Sequence, residues 1–78
     1  MAKAFVFMSI DAGAEDEILK SLREVPEVKE AYFVYGVYDV VAKIETESMD
    51  RLKEVITSRM RGLDKIRSTL TTIVSEEK

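Results

Sequence analysis

The chain has no cysteine, no histidine and no tryptophan, and it has one proline and three glycines in 78 residues. Each absence removes a class of chemistry. Without cysteine there is no disulfide framework, no thiolate zinc site and no side-chain redox couple, which agrees with a reducing compartment. Without histidine the commonest general base and the commonest transition-metal ligand are missing, so most catalytic constellations cannot be built. Gly13, Gly36 and Gly62 lie too far apart to form a phosphate-cradling loop. No apolar run approaches the roughly 20 residues needed to cross a bilayer. Met1-Ala2-Lys3-Ala4 lacks the apolar stretch and cleavage site of a signal peptide. The expectation is a cytoplasmic protein with no cofactor and no membrane partner.

A strong charge of either sign is absent too. Twelve basic and 15 acidic residues give a formal net charge of -3, without the basic footprint that nucleic-acid binding requires. Arg51, Lys53, Arg59, Arg61, Lys65 and Arg67 form the most basic stretch. Interleaved with Glu47, Asp50 and Glu54, they read as a solvated helix face, and no direct nucleic-acid contact is expected. Glu15-Asp16-Glu17 complements a helix dipole and Glu76-Glu77 belongs to a polar tail, so neither acidic cluster calls for a metal or an acid–base role.

What is present is a globular composition, 46% hydrophobic and 35% charged with both signs interleaved, long enough for one domain over residues 1–78 and a thin core. Residues 5–10 are aromatic and branched, closed by the breaker cluster Asp11-Ala12-Gly13, and read as a strand. Over residues 14–25, Ile18, Leu19, Leu22 and Val25 recur at helical spacing until Pro26 stops the helix. Residues 28–35 and 38–45 are strand-like on either side of Gly36-Val37, which predicts a hairpin. Ser48 is placed to cap a second helix whose stripe is Met49, Leu52, Val55, Ile56, Met60 and Leu63, with Glu47 and Arg51 one turn apart as a surface pair. Gly62-Leu63-Asp64 ends that helix. Residues 66–74 have strand composition, and 75–78 form a tail expected to fray.

The order β-α-β-β-α-β is a split pair of βαβ units. It predicts an α+β, ferredoxin-like fold with both helices on one face of a four-stranded antiparallel sheet. A sheet covered on one side should alternate apolar and polar residues, yet Val6, Met8 and Ile10 oppose Phe5 and Phe7, and Tyr32 and Val34 oppose Ala31, Phe33 and Tyr35. The second face is therefore expected to pack on another protein surface, most simply a second copy related by a two-fold axis, making a homodimer. Scattered surface aromatics are the plainer alternative.

Three segments carry a resemblance: Pro26-Glu27-Val28-Lys29-Glu30-Ala31-Tyr32, then Gly36-Val37-Tyr38-Asp39 running into Val40-Val41-Ala42-Lys43-Ile44, and Thr69-Leu70-Thr71. In order and spacing they resemble the ligand-sensing domain of the leucine-responsive regulatory protein/AsnC family, called RAM for regulation of amino-acid metabolism. The chain has no residues for that family's helix-turn-helix domain, and so looks like a stand-alone RAM protein. Asp64-Lys65 stands where the family commonly has proline-glycine. The resemblance implies dimers that assemble into octamer-like rings, with amino-acid effectors bound between dimers. It also implies a ligand site of Gly36, Tyr38, Asp39, Thr69 and Thr71, in which glycine admits the ligand, Asp39 pairs with an ammonium group and the threonine hydroxyls bond a carboxylate. Gly36 as a turn residue, Asp39 as an acceptor for nearby backbone amides and the threonines as strand formers stay open as alternatives.

The implied function is a non-enzymatic module that binds an amino acid and modulates transcriptional regulators of the same family by protein–protein assembly, with a full-length family regulator as a further partner. Two other readings stand beside it: a small dimeric α+β-barrel enzyme of the monooxygenase or isomerase type, and a ligand-free structural dimer. The chain lacks the histidine, tryptophan and asparagine that such enzymes usually place at their cavity.

Overall fold

A computed structural model describes residues 1–60 and 65–75, with Met60 described for its backbone alone. The elements run β1 (Ala2–Ile10), α1 (Glu15–Arg23), β2 (Val28–Phe33), β3 (Val40–Thr46), α2 (Met49–Val55), a π-helical turn (Ile56–Met60) and β4 (Ile66–Ile73). The sheet order is β2-β3-β1-β4, antiparallel throughout.

Strict alternation along β1 decides which face becomes the core. Ala2, Ala4, Val6, Met8 and Ile10 are buried while the residues between them are half-buried. Directly paired residues share a face. Val40, Ala42 and Ile44 therefore join the same layer through β3 and are likewise buried. Ile18 and Leu22 of α1 and Leu52 and Val55 of α2 close over it. Burying one such side chain contributes on the order of 1.5–3 kcal/mol.

The helix ends follow from local chemistry. The Ser48 hydroxyl accepts the Arg51 N–H at 3.1 Å and caps α2. α1 begins with Glu15, Asp16 and Glu17 in its first turn and ends before Pro26.

Several boundaries differ from the sequence reading. β1 starts at Ala2 because pairing with Thr46 and Glu45 of β3 extends it beyond the aromatic run. β2 ends at Phe33 and β3 begins at Val40, which puts Val34, Tyr35 and Tyr38 in the connecting loop. α2 widens into a π turn at Ile56, where the Ser58 hydroxyl donates to the Glu54 carbonyl at 2.6 Å. Arg51 bonds Glu27 and Glu54, in place of the anticipated pair with Glu47. The Gly62-Leu63-Asp64 terminator and the last three residues of the tail lie outside the described residues.

Two ladders contain an extra residue. Val28 pairs with Ile44 and Glu30 with Lys43, so Lys29 is a bulge in β2. Ser9 pairs with Ser68 and Ile10 with Ile66, so Arg67 is a bulge in β4. Just before it, Lys65 has φ +71°, the left-handed conformation that glycine adopts without steric cost. The Asp11 N–H donates to its carbonyl at 2.9 Å, and its Nζ lies 2.7 Å from Glu17. Lys65 thus takes the glycine conformation at the position where the family pattern has proline-glycine.

Candidate functional site

The loop between β2 and β3 is closed at its base by the Val34 N–H, which donates to the Asp39 carbonyl at 2.9 Å. Asp39 itself is tied to β1 twice. Its N–H donates to the Met8 carbonyl at 2.9 Å, and its carboxylate Oδ2 accepts the Ile10 N–H at 3.1 Å. Ile10 faces the β3 side of β1 one step beyond the last β1–β3 pair, Met8 with Val40. The carboxylate substitutes there for the ladder carbonyl that β3 no longer supplies. Asp39 Oδ1 accepts no hydrogen bond among the described residues.

The loop separates two clefts. One, of about 340 Å³, is lined by Glu15, Phe33, Val34, Tyr35 and Asp39, between the start of α1 and the end of β2. The other, of about 310 Å³, lies on the helix-free face, with Phe7, Gly36, Tyr38 and Val41 among its walls. The Tyr38 and Phe7 rings sit 5.9 Å apart and tilted by 49°, within the range of favourable aromatic contact. Gly36 has φ +148° and open space where a Cβ would point, so the backbone there is accessible from solvent. In the sequence Glu15 reads as a helix-dipole residue and Phe33 as part of the sheet face, and neither as part of a ligand site, because only the chain crossing brings the first turn of α1 beside the end of β2.

Thr69 and Thr71 lie elsewhere. They pair with Met8 and Val6, so they share the helix side of the sheet and stand half-buried on β4. Of the five residues, one chain brings Gly36 and Tyr38 into one cleft and sets Asp39 in the neighbouring cleft. The two threonines are on the far side of β1.

The helix-free face combines two characters. Phe5, Phe7, Val41, Tyr32 and Leu70 form its apolar half, with Tyr32 and Leu70 about half exposed. A line of alternating charge forms the other half: Lys43 contacts Glu30 and Glu45 at 3.3 Å each, and Lys3 lies 3.9 Å from Glu45. The Tyr32 hydroxyl also donates to Glu30. That bond and the Lys43 ammonium hold the Glu30 carboxyl below its ordinary range.

A larger depression of about 600 Å³ opens at the other end of the sheet, beside Pro26, Glu27, Thr46, Ser48 and Arg51. Its cations are engaged within the chain: Arg51 with Glu27 at 2.7 Å, and Lys29 Nζ with the Pro26 carbonyl at 3.1 Å. Among the described residues no cluster of three or more carboxylates could hold a metal ion, and no helix is long and apolar enough to cross a membrane.

Comparison with known families decides among the possible relatives of this fold, since the model of the Lrp/AsnC ligand binding domain matches residues 3–78. The chain belongs to the Lrp/AsnC ligand-binding domain family. Regulatory protein AsnC of Escherichia coli is 38% identical over 56 residues, covering 72% of this chain and 37% of AsnC. An HTH-type transcriptional regulator of Pyrococcus furiosus is 31% identical over 71 residues, covering 91% of this chain and 46% of the regulator. The Lrp/AsnC domain described here thus spans less than half the length of these curated relatives. Among solved structures, a hypothetical protein from Pyrococcus horikoshii superposes with a TM-score of 0.91 at 43% identity, covering 99% of this chain and 93% of that one. Escherichia coli AsnC superposes with a TM-score of 0.89 at 30% identity, covering 97% of this chain and 52% of AsnC. The superpositions and the observed element order agree on the β-α-β-β-α-β architecture.

Proposed function

We propose that this Lrp/AsnC domain is a non-enzymatic effector module. It dimerises through the helix-free face of its sheet, binds an amino acid between dimers of a larger ring of up to eight copies, and modulates regulators of its family by joining their assemblies. The observation that carries the reading is the apolar half of the helix-free face, where Phe5, Phe7, Tyr32 and Leu70 stand on the side that neither α1 nor α2 covers. Such a patch on a small domain marks a contact surface. Its charges also favour a second copy as the partner, because Lys3 and Lys43 balance Glu30 and Glu45 within the face itself.

Asp39 supplies the ammonium contact, since Oδ2 is committed to Ile10 and Oδ1 is available. Gly36 and Tyr38 admit and flank the ligand, and Thr69 and Thr71 supply hydroxyls for its carboxylate. Within one chain β1 separates the threonines from the loop, so a ligand that touches both groups bridges different copies. The binding of an amino acid would then favour the assembled state through differential affinity. Calorimetric titration against the twenty amino acids, combined with light scattering, tests this reading. Binding of at least one amino acid with a change in assembly size supports it; a folded chain that binds none and stays single at micromolar concentration sinks it.

A further inference from the structure

Among the described residues the charged side chains of the helix-free face form one line. Lys3 of β1, Glu45 and Lys43 of β3 and Glu30 of β2 follow one another across three strands, at 3.9 Å, 3.3 Å and 3.3 Å. The side chains of Lys3, Lys43 and Glu45 are 25%, 26% and 20% exposed, so the line is partly withdrawn from water even in one copy. β4 adds Ser68, Leu70 and Thr72 to this face and no charge, while α1 and α2 lie on the other side. Beyond the end of the line, Met1, Lys29 and Glu47 border the depression shared with Glu45, and Lys29 is engaged with the Pro26 carbonyl. Of the phenols on this face, Tyr32 donates to Glu30 and Tyr38 packs on Phe7.

Two ammonium groups and two carboxylates leave this line without net charge. The balance lasts only while both carboxylates are ionised. Lysine keeps its charge throughout the acid range, whereas a glutamate takes up a proton there. The Tyr32 hydroxyl and the Lys43 ammonium hold the Glu30 carboxyl below its ordinary value of 4.5, which puts its protonation on the acid side of that value. Once Glu30 and Glu45 are neutral, Lys3 and Lys43 stand uncompensated on the same face as Phe5 and Phe7.

We infer, on the basis of the helix-free-face pairing proposed above, that the charge line is an acid-sensitive switch: protonation of Glu30 and Glu45 drives paired copies of this chain apart. In a contact between identical faces each copy brings the same two lysines. The ionised line meets its copy as a neutral surface, and the protonated line meets it as like charge against like charge in a space that excludes water. Each proton taken up adds positive charge to both sides of the contact, so the paired state binds protons more weakly than the single chain does. By linkage, falling pH then favours the single chain. The fold itself is not the element that switches, because the core layer on the helix side contains no ionisable side chain among its buried residues.

Sedimentation at neutral pH and at about pH 3.5, with circular dichroism to confirm the fold, is the direct test. The parent is expected to be assembled at neutral pH and to lose mass toward the single chain in acid while its spectrum persists. Glutamine imitates the protonated carboxyl without acid, so Glu30→Gln with Glu45→Gln decides the question at neutral pH should acid unfold the chain. That double variant is expected to need at least about tenfold more protein to pair than the parent does. Adding Lys3→Gln and Lys43→Gln removes the uncompensated charge and is expected to recover most of the loss. A parent that is assembled at neutral pH and stays so in acid while folded overturns the switch and leaves the pairing. A double variant that pairs like the parent does the same. A fourfold variant no tighter than the double one assigns the loss to missing hydrogen bonds, and also overturns it. A folded parent that is single at neutral pH removes the pairing itself, and the switch with it.

Discussion

The Asp39 carboxylate accepts the Ile10 N–H at 3.1 Å and completes the β1 edge where β3 has ended. Removing that acceptor with Asp39→Ala should destabilise the fold by about 1 kcal/mol, the typical net worth of one hydrogen bond. Asp39→Asn keeps an acceptor for Ile10 and loses the charge. Chemical denaturation should place Asn near the parent and Ala below it, while calorimetry should show weakened amino-acid binding in both. Equal binding by Asn and the parent would remove Asp39 as the ammonium partner.

Glu27 and Arg51, 24 positions apart, join the start of β2 to α2. The hydrogen bond from the Arg51 guanidinium holds the Glu27 carboxyl below its ordinary value of 4.5. Between the depressed folded value and the ordinary one the unfolded chain binds more protons, so stability rises with pH there. The contribution is complete above about 4.5 and disappears as pH falls through the folded value. Nuclear magnetic resonance titration of Glu27 should show the low value in the parent and its return toward 4.5 in Arg51→Gln.

Lys65 occupies the left-handed region at φ +71°. Lys65→Ala and Lys65→Gly both lose the contact with Glu17, but only glycine is free of the steric cost, which is about 1–2 kcal/mol for a residue with a Cβ. Part of that gain is offset by glycine's greater freedom in the unfolded chain. The glycine variant should therefore melt above the alanine variant; the reverse order would show that the backbone there relaxes.

Phe7 and Met8 are neighbours on opposite faces, one half-buried and the other fully buried. Met8→Ala should cost roughly 2–5 kcal/mol through a core cavity. Phe7→Ser should leave the fold in place and shift light scattering toward the single chain. Unfolding by Phe7→Ser at the concentrations used would mean that the domain folds only with its partner.

Much of the architecture was legible before any coordinates. The spacing of Ile18 and Leu22, the run over residues 5–10 and the cap at Ser48 are local patterns, and local patterns set which elements form and which face of each is apolar. The family pattern around Gly36-Val37-Tyr38-Asp39 was legible for the same reason. The loop boundaries were harder to read. Tyr35 and Tyr38 have strand composition but no ladder partner, and composition alone cannot report pairing.

Element order and the apolar parity of the strands were determined by the sequence itself, because side-chain periodicity acts within a few residues. Tertiary structure decided the rest. It gave Arg51 to Glu27 rather than Glu47, bound Asp39 to Ile10, and placed Thr69 and Thr71 across β1 from Tyr38. Each of these depends on strand register and on the bulges at Lys29 and Arg67, where a one-residue shift exchanges faces and partners far apart in the chain.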